Sequence, residues 1–194
     1  MIRIGPAGWS YEDWKGVVYP RDSRLDQLAY LVEFFDTIEI NSTFYRPASP
    51  KMAEGWLRRI QENANFRFTA KLLQVFTHER QKIDPAQAAE WTSGMAPLHQ
   101  AGRLGAVLVQ FPWSFRNEQE SREYLWRLTE AFSQLPLVIE FRHQSWDQDG
   151  VRDFLRQLKV GICNIDQPVI GRSIRPRSYV TSQVVYFRCH GRNY

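Results

Sequence analysis

Five short apolar runs in this chain of 194 residues each deliver charged or amide side chains at their C-terminal ends. They are Thr37-Ile38-Glu39-Ile40-Asn41, Phe66-Arg67-Phe68-Thr69-Ala70-Lys71, Gly105-Ala106-Val107-Leu108-Val109-Gln110, Leu137-Val138-Ile139-Glu140-Phe141-Arg142 and Val185-Tyr186-Phe187-Arg188-Cys189-His190. Side chains alternate faces along a strand. Glu39 and Asn41 then share a face, as do Glu140 and Arg142, and Arg188 and His190. A strand buried on both sides is apolar on both faces. Polar pairs near its exit cost free energy unless they line a site. Their repetition predicts that the exits converge on one polar pocket.

The chemistry open to these residues is acid–base work beside an anion clamp. Glu39 reads as a general base whose charged form Lys71, on the next strand, favours; the alternative is an ion pair that merely fixes the mouth. Glu140 suits acid–base or metal-ligand work and Arg142 a clamp; the alternative is a mutual salt bridge. Arg188, His190 and Arg192 leave the last run, where arginines suit phosphate. His190 itself reads as a general acid, a metal ligand or a hydrogen-bonded core histidine. Glu39, Lys71, Glu140 and His190 are thus the catalytic candidates. Trp9, Asn41, Tyr45, Gln110, Arg142, Trp146, Asp166, Arg188 and Arg192 are the binding candidates. The aromatic ones stack on a ligand or cover the core. No cofactor is expected. Mg²⁺ or Mn²⁺ on Glu39, Glu140, Asp166 and His190 is the lesser alternative, because Lys71, Arg142 and Arg188 compete for the same carboxylates.

The elements that must position these groups alternate. Met1 to Gly5 and Val160 to Ile165 complete a set of seven strands. Helical patterns run from Arg24 to Phe35, capped by Asp22 or Ser23, and from Ser49-Pro50 through Met52, Trp56, Leu57 and Ile60. Others open at Asp84-Pro85 and run from Glu118 to Phe132 and from Asp149 to Lys159. Gln167 to Tyr179 has no helical period and reads as an ordered loop. Repeated β-α order implies parallel strands with right-handed crossovers. Polar exits on many strands favour a TIM-like (β/α) barrel over an open sheet. Residues 1–194 are read as one such domain, incomplete at its C-terminal end, because a full barrel takes about 250 residues.

Hydrophobic content of 43% and charged content of 24% are ordinary for a globular chain. No apolar run is long enough to span a membrane, and the opening residues do not read as a signal peptide. With two cysteines, Cys163 and Cys189, the expectation is a reduced cytoplasmic protein. The net charge of +4 is uneven: residues 167–194 hold five arginines and no acid, which leaves −1 for the first 166. That imbalance points to an anionic partner.

The motifs resemble the YecE-like family, also called domain of unknown function 72. Ile4-Gly5 with Gly8-Trp9-Ser10-Tyr11, Trp14 and Tyr19-Pro20 resembles its opening. Glu39-Ile40-Asn41-Ser42-Thr43-Phe44-Tyr45-Arg46, Phe68 with Lys71 and Thr77-His78, and Gln110-Phe111-Pro112 follow in order. Glu140-Phe141-Arg142-His143 with Trp146, then Asp166, Arg188 and His190-Gly191-Arg192, complete the set. The resemblance implies a TIM-barrel-like fold but supplies no reaction. From the residues, the leading expectation is an enzyme, a hydrolase or lyase, acting on a phosphate-bearing or other anionic small molecule. A nucleic-acid binder or phosphodiesterase is the second reading, and a non-catalytic ligand-binding protein the third. No membrane partner is expected, and the oligomeric state is left open.

Overall fold

The computed structural model describes residues 1–21, 24–80 and 82–191. The fold is α/β, with six parallel strands alternating with helices in the order of an incomplete TIM-like barrel. Two compact units divide the chain: residues 1–71 with 90–105, and residues 72–89 with 106–194.

In the first unit, β1 (Thr37–Ile40) and β2 (Arg67–Lys71) pair in parallel, Thr37 opposite Arg67 and Ile40 opposite Ala70. Ile38, Ile40, Phe68 and Ala70 are fully buried, as strands covered on both faces require. Helix α1 (Gln27–Val32) is shorter than its apolar pattern, and Asp26 caps it by accepting from the amides of Leu28 and Ala29. The expected cap at Asp22 or Ser23 lies outside the described residues. Helix α2 (Pro50–Arg59) starts as its sequence demands, with Pro50 at the first position and Ser49 Oγ accepting from the Met52 amide at 3.2 Å. It buries Ala53 and Trp56, while Met52 is 41% exposed. The α3 helix (Pro85–Gln100) is opened by Asp84, whose Oδ1 accepts from the Ala86 amide at 2.9 Å.

Among the described residues six strands form where seven were expected, because Met1 to Gly5 is not one of them. The segment does lie along β1: the Asp36 amide donates to the Ile4 carbonyl at 3.2 Å and the Glu39 amide to that of Pro6 at 3.0 Å. Pro6 has no N–H to return, so the ladder shrinks to a single bridge between Ala7 and Glu39. The close approach needs Gly5, since a Cβ there would stand 1.6 Å from the Thr37 carbonyl oxygen.

In the second unit, β3 (Leu104–Gln110, its main part), β4 (Leu137–Glu140), β5 (Gly161–Asp166) and β6 (Tyr186–Cys189) pair in that order, all parallel. Helix α4 (Gln119–Ala131) buries Tyr124, Leu125 and Leu128, and α5 (Asp149–Gln157) buries Val151 and Leu155. The Tyr124 hydroxyl donates to the Phe76 carbonyl at 2.7 Å, and burial pushes its pKa up to about 12.

The 167–179 segment is an ordered loop, as its sequence predicts. Asn164 brackets it, Oδ1 accepting from the Tyr179 amide at 2.7 Å and Nδ2 donating to the Tyr179 carbonyl at 3.0 Å. The Ile174 amide donates to the Arg142 carbonyl, and the Gln144 amide to that of Arg172, each at 2.9 Å. These bonds replace the internal ladder a helix would have supplied.

Candidate functional site

The charged centre of the second unit is Glu140, the last residue of β4 and fully buried. Register carries it there: Gln110 at the end of β3 sits directly beside it. Two residues on, Arg142 has left the strand but turns back, placing Nη2 2.5 Å from Glu140 Oε1. That oxygen receives no directed hydrogen bond, so the contact is Coulombic. The other oxygen, Oε2, accepts from Arg188 Nη1 at 2.9 Å. Arg188 reaches it from β6, where its backbone pairs with Ile165.

His190 follows on the same parity. Its Nε2 is 3.1 Å from Arg142 Nη2 and 3.4 Å from Arg188 Nη1, against 4.0 Å from Glu140 Oε1. A guanidinium can only donate. Nε2 is therefore the acceptor, and the neutral ring carries its proton on Nδ1. The His190 amide is fixed by donating to the Asp166 carbonyl at 2.8 Å.

Three features give this cluster its chemistry. First, one carboxylate faces two guanidinium groups. Second, burial is graded: side-chain exposure is 0% for Glu140, 14% for Arg188, 21% for Arg142 and 26% for His190. Third, Arg142 Nε is buried without a hydrogen-bond partner. A carboxylate this buried is tolerable only because it is paired on both oxygens. The cluster therefore has a fixed anionic floor beneath two partly covered guanidinium groups.

The sequence reading missed two members of this neighbourhood. Gln167 Oε1 accepts from Arg142 Nη1 at 2.5 Å, although Gln167 reads as the first residue of a loop. Cys163 Sγ lies 3.7 Å from Glu140 Oε2. Its parity on β5, two residues before Ile165, was the available signal.

Asp166 ends β5, its backbone opposite Cys189. Trp146 is 1% exposed, stacks on Phe141 at 4.1 Å and donates from Nε1 to the Phe115 carbonyl at 2.8 Å. Phe111 and Phe115 stack at 3.9 Å in the same set of nearly parallel rings, so Trp146 sits as a core cover. Arg192 lies outside the described residues.

In the first unit, Glu39 is 5% exposed near the end of β1. Asn41 has left the strand, with φ −88° and ψ −24°, and its carbonyl accepts from the Phe44 amide as a short helical turn begins. Strand alternation between Glu39 and Asn41 therefore stops at Ile40. Lys71 Nζ stands 4.3 Å over the Phe44 ring. Trp9 is half-buried, with its ring 6.1 Å from Trp56 and 6.4 Å from Phe68. Tyr45 is 71% exposed. Among the described residues, no three His, Cys, Asp or Glu side chains are grouped to hold a metal ion. None of the described helices is long and apolar enough to cross a membrane.

Comparisons with known proteins agree on one kinship. The profile of a family described as "Protein of unknown function DUF72" matches residues 3–194. The UPF0759 protein YunF of Bacillus subtilis (strain 168) is 27% identical over 207 residues, covering all of this chain and 71% of that protein. The crystal structure of a DUF72 family protein (TM1631) from Thermotoga maritima MSB8 is 34% identical, with a TM-score of 0.86, over all of this chain and 75% of that one. A DUF72 family protein (EF0366) from Enterococcus faecalis V583 is 26% identical with a TM-score of 0.86, covering all of this chain and 72% of its own. With the profile spanning nearly every residue, this chain belongs to the DUF72 family of proteins of unknown function.

Proposed function

We propose that the Glu140 cluster binds a phosphate-bearing or otherwise anionic small molecule and acts on it by acid–base chemistry. The observation that carries this reading is the sharing of one fully buried carboxylate by two guanidinium groups, Arg142 and Arg188. The two guanidinium groups lie at strand exits, where (β/α) folds do their chemistry. Glu140 orients the clamp, because both its oxygens face arginines. His190 is the most exposed member and the one suited to exchange a proton with a ligand. An incoming oxyanion takes over guanidinium donors now spent on Nε2, freeing that nitrogen for the transfer.

The experiment is titration with sugar phosphates and mononucleotides, followed at the His190 ring nitrogens by NMR. Arg188→Ala should weaken binding about tenfold, the scale of a charge-assisted hydrogen bond. Arg175→Ala, in the exposed loop, should not change it. His190→Gln should keep binding but abolish turnover, read by ³¹P NMR. Single-stranded oligonucleotides serve as the second arm. A steep salt dependence would favour nucleic acid, and a shallow one a small anion. Binding that Arg188→Ala leaves untouched would refute the assignment.

A further inference from the structure

A second cluster in the same unit is built around a buried histidine that the Glu140 site does not use. His143 is 4% exposed. Its Nδ1 accepts from the Ser145 amide at 3.1 Å and lies 2.8 Å from Ser145 Oγ. The accepting nitrogen carries no proton, so the neutral ring holds its proton on Nε2. Nε2 is buried and has no hydrogen-bond partner. An unspent buried donor costs about 1–3 kcal/mol unless something takes its hydrogen.

The surroundings say what could take it. Trp113 meets the imidazole edge-on, with ring centroids 4.9 Å apart, and is itself 45% exposed. Arg116 Cζ stands 5.5 Å over the Trp113 ring. Arg172 is brought close by its backbone: its carbonyl accepts from the Gln144 amide, and the next residue, Ser173, bridges to His143. Both arginines are exposed, and among the described residues neither is ion-paired. Burial, then the charges of Arg116 and Arg172, lower the His143 pKa, and the more weakly felt Glu118 raises it. Two cations and one anion leave the rim positive. The loops that carry these groups are tied together, Asn117 bonding Ser145 through both its amide and its side chain, at 2.9 and 3.0 Å.

We propose that His143, Trp113, Arg116 and Arg172 form an oxyanion site distinct from the Glu140 cluster, for a phosphate or carboxylate group of a small molecule. His143 Nε2–H supplies the directed bond at its floor, the two arginines the charge at its rim, and Trp113 the apolar wall. A neutral imidazole suits this role because it donates without adding a buried charge.

The test uses the whole protein and inorganic phosphate as probe, at a pH above 7 where His143 is neutral. Phosphate should shift the His143 ring nitrogens and the Trp113 indole N–H together, saturating with one dissociation constant. Arg116→Gln and Arg172→Gln should each weaken that response about threefold or more, as exposed charge contacts do, and together should abolish it. Arg188→Ala should leave it intact, so failure here is separable from failure at the Glu140 cluster. The proposal is overturned if His143 does not respond to phosphate, its Nε2–H then being spent on the Trp113 ring. It is equally overturned if the double variant responds as the wild type does.

Discussion

Replacing Glu140 by glutamine removes one negative charge and almost no volume. Glu140 is fully buried, with Arg142 Nη2 at 2.5 Å and Arg188 Nη1 at 2.9 Å. In Glu140→Gln both guanidinium groups, themselves mostly covered, lose their anion. Breaking a buried pair by removing one partner costs about 3–5 kcal/mol. For a chain of this size each kcal/mol is about 2–4 °C, so the melting temperature should fall by about 6–20 °C. Urea unfolding should show the loss as a lower midpoint at an unchanged slope. The surplus charge makes a second demand. Phosphate should stabilise Glu140→Gln more than wild type, the variant gaining about 1.4 kcal/mol over its own phosphate-free form at ten times its dissociation constant. A double-mutant cycle with Arg188→Ala should give a coupling of about 0.5–3 kcal/mol. If Glu140→Gln costs less than about 1 kcal/mol and phosphate does not discriminate the two proteins, the carboxylate is not the anchor described here.

Three further outcomes follow from local geometry. Gly5→Ala drives a Cβ into the Thr37 carbonyl oxygen; it should cost about 3 kcal/mol or release the N-terminal segment, seen as faster exchange of the Glu39 amide. Asn164→Ala removes both bonds to the Tyr179 backbone; it should cost about 1–3 kcal/mol and speed tryptic cleavage after Arg177. Tyr124 keeps its proton to about pH 12 in the fold but ionises near 10 when unfolded. Its contribution is thus full below pH 10 and is lost as pH rises towards 12, on the order of 2 kcal/mol. Tyr124→Phe should flatten that alkaline fall in urea midpoints while costing about 1 kcal/mol at neutral pH.

Much of this protein was legible in its sequence. Apolar period, capping residues and strand alternation are local, and they placed five helices and six of the seven expected strands. Ser49-Pro50 and Asp84-Pro85 opened their helices as short-range chemistry requires. Parity also put Arg188 with His190, because both ride one strand exit. The tertiary structure decided what depends on neighbours distant in the chain. Met1 to Gly5 had the apolar pattern of a strand, yet Pro6 and the close Thr37 carbonyl left one bridge. Asn41 turned into a helical bend, so the alternation that joined it to Glu39 ended. Cys163 came to the Glu140 cluster through register between β4 and β5, and Gln167 through the loop that leaves β5; register is set by pairing across the sheet rather than by any one segment. The unpartnered His143 Nε2 is of the same kind: its type was readable, but a missing partner is a property of everything folded around it.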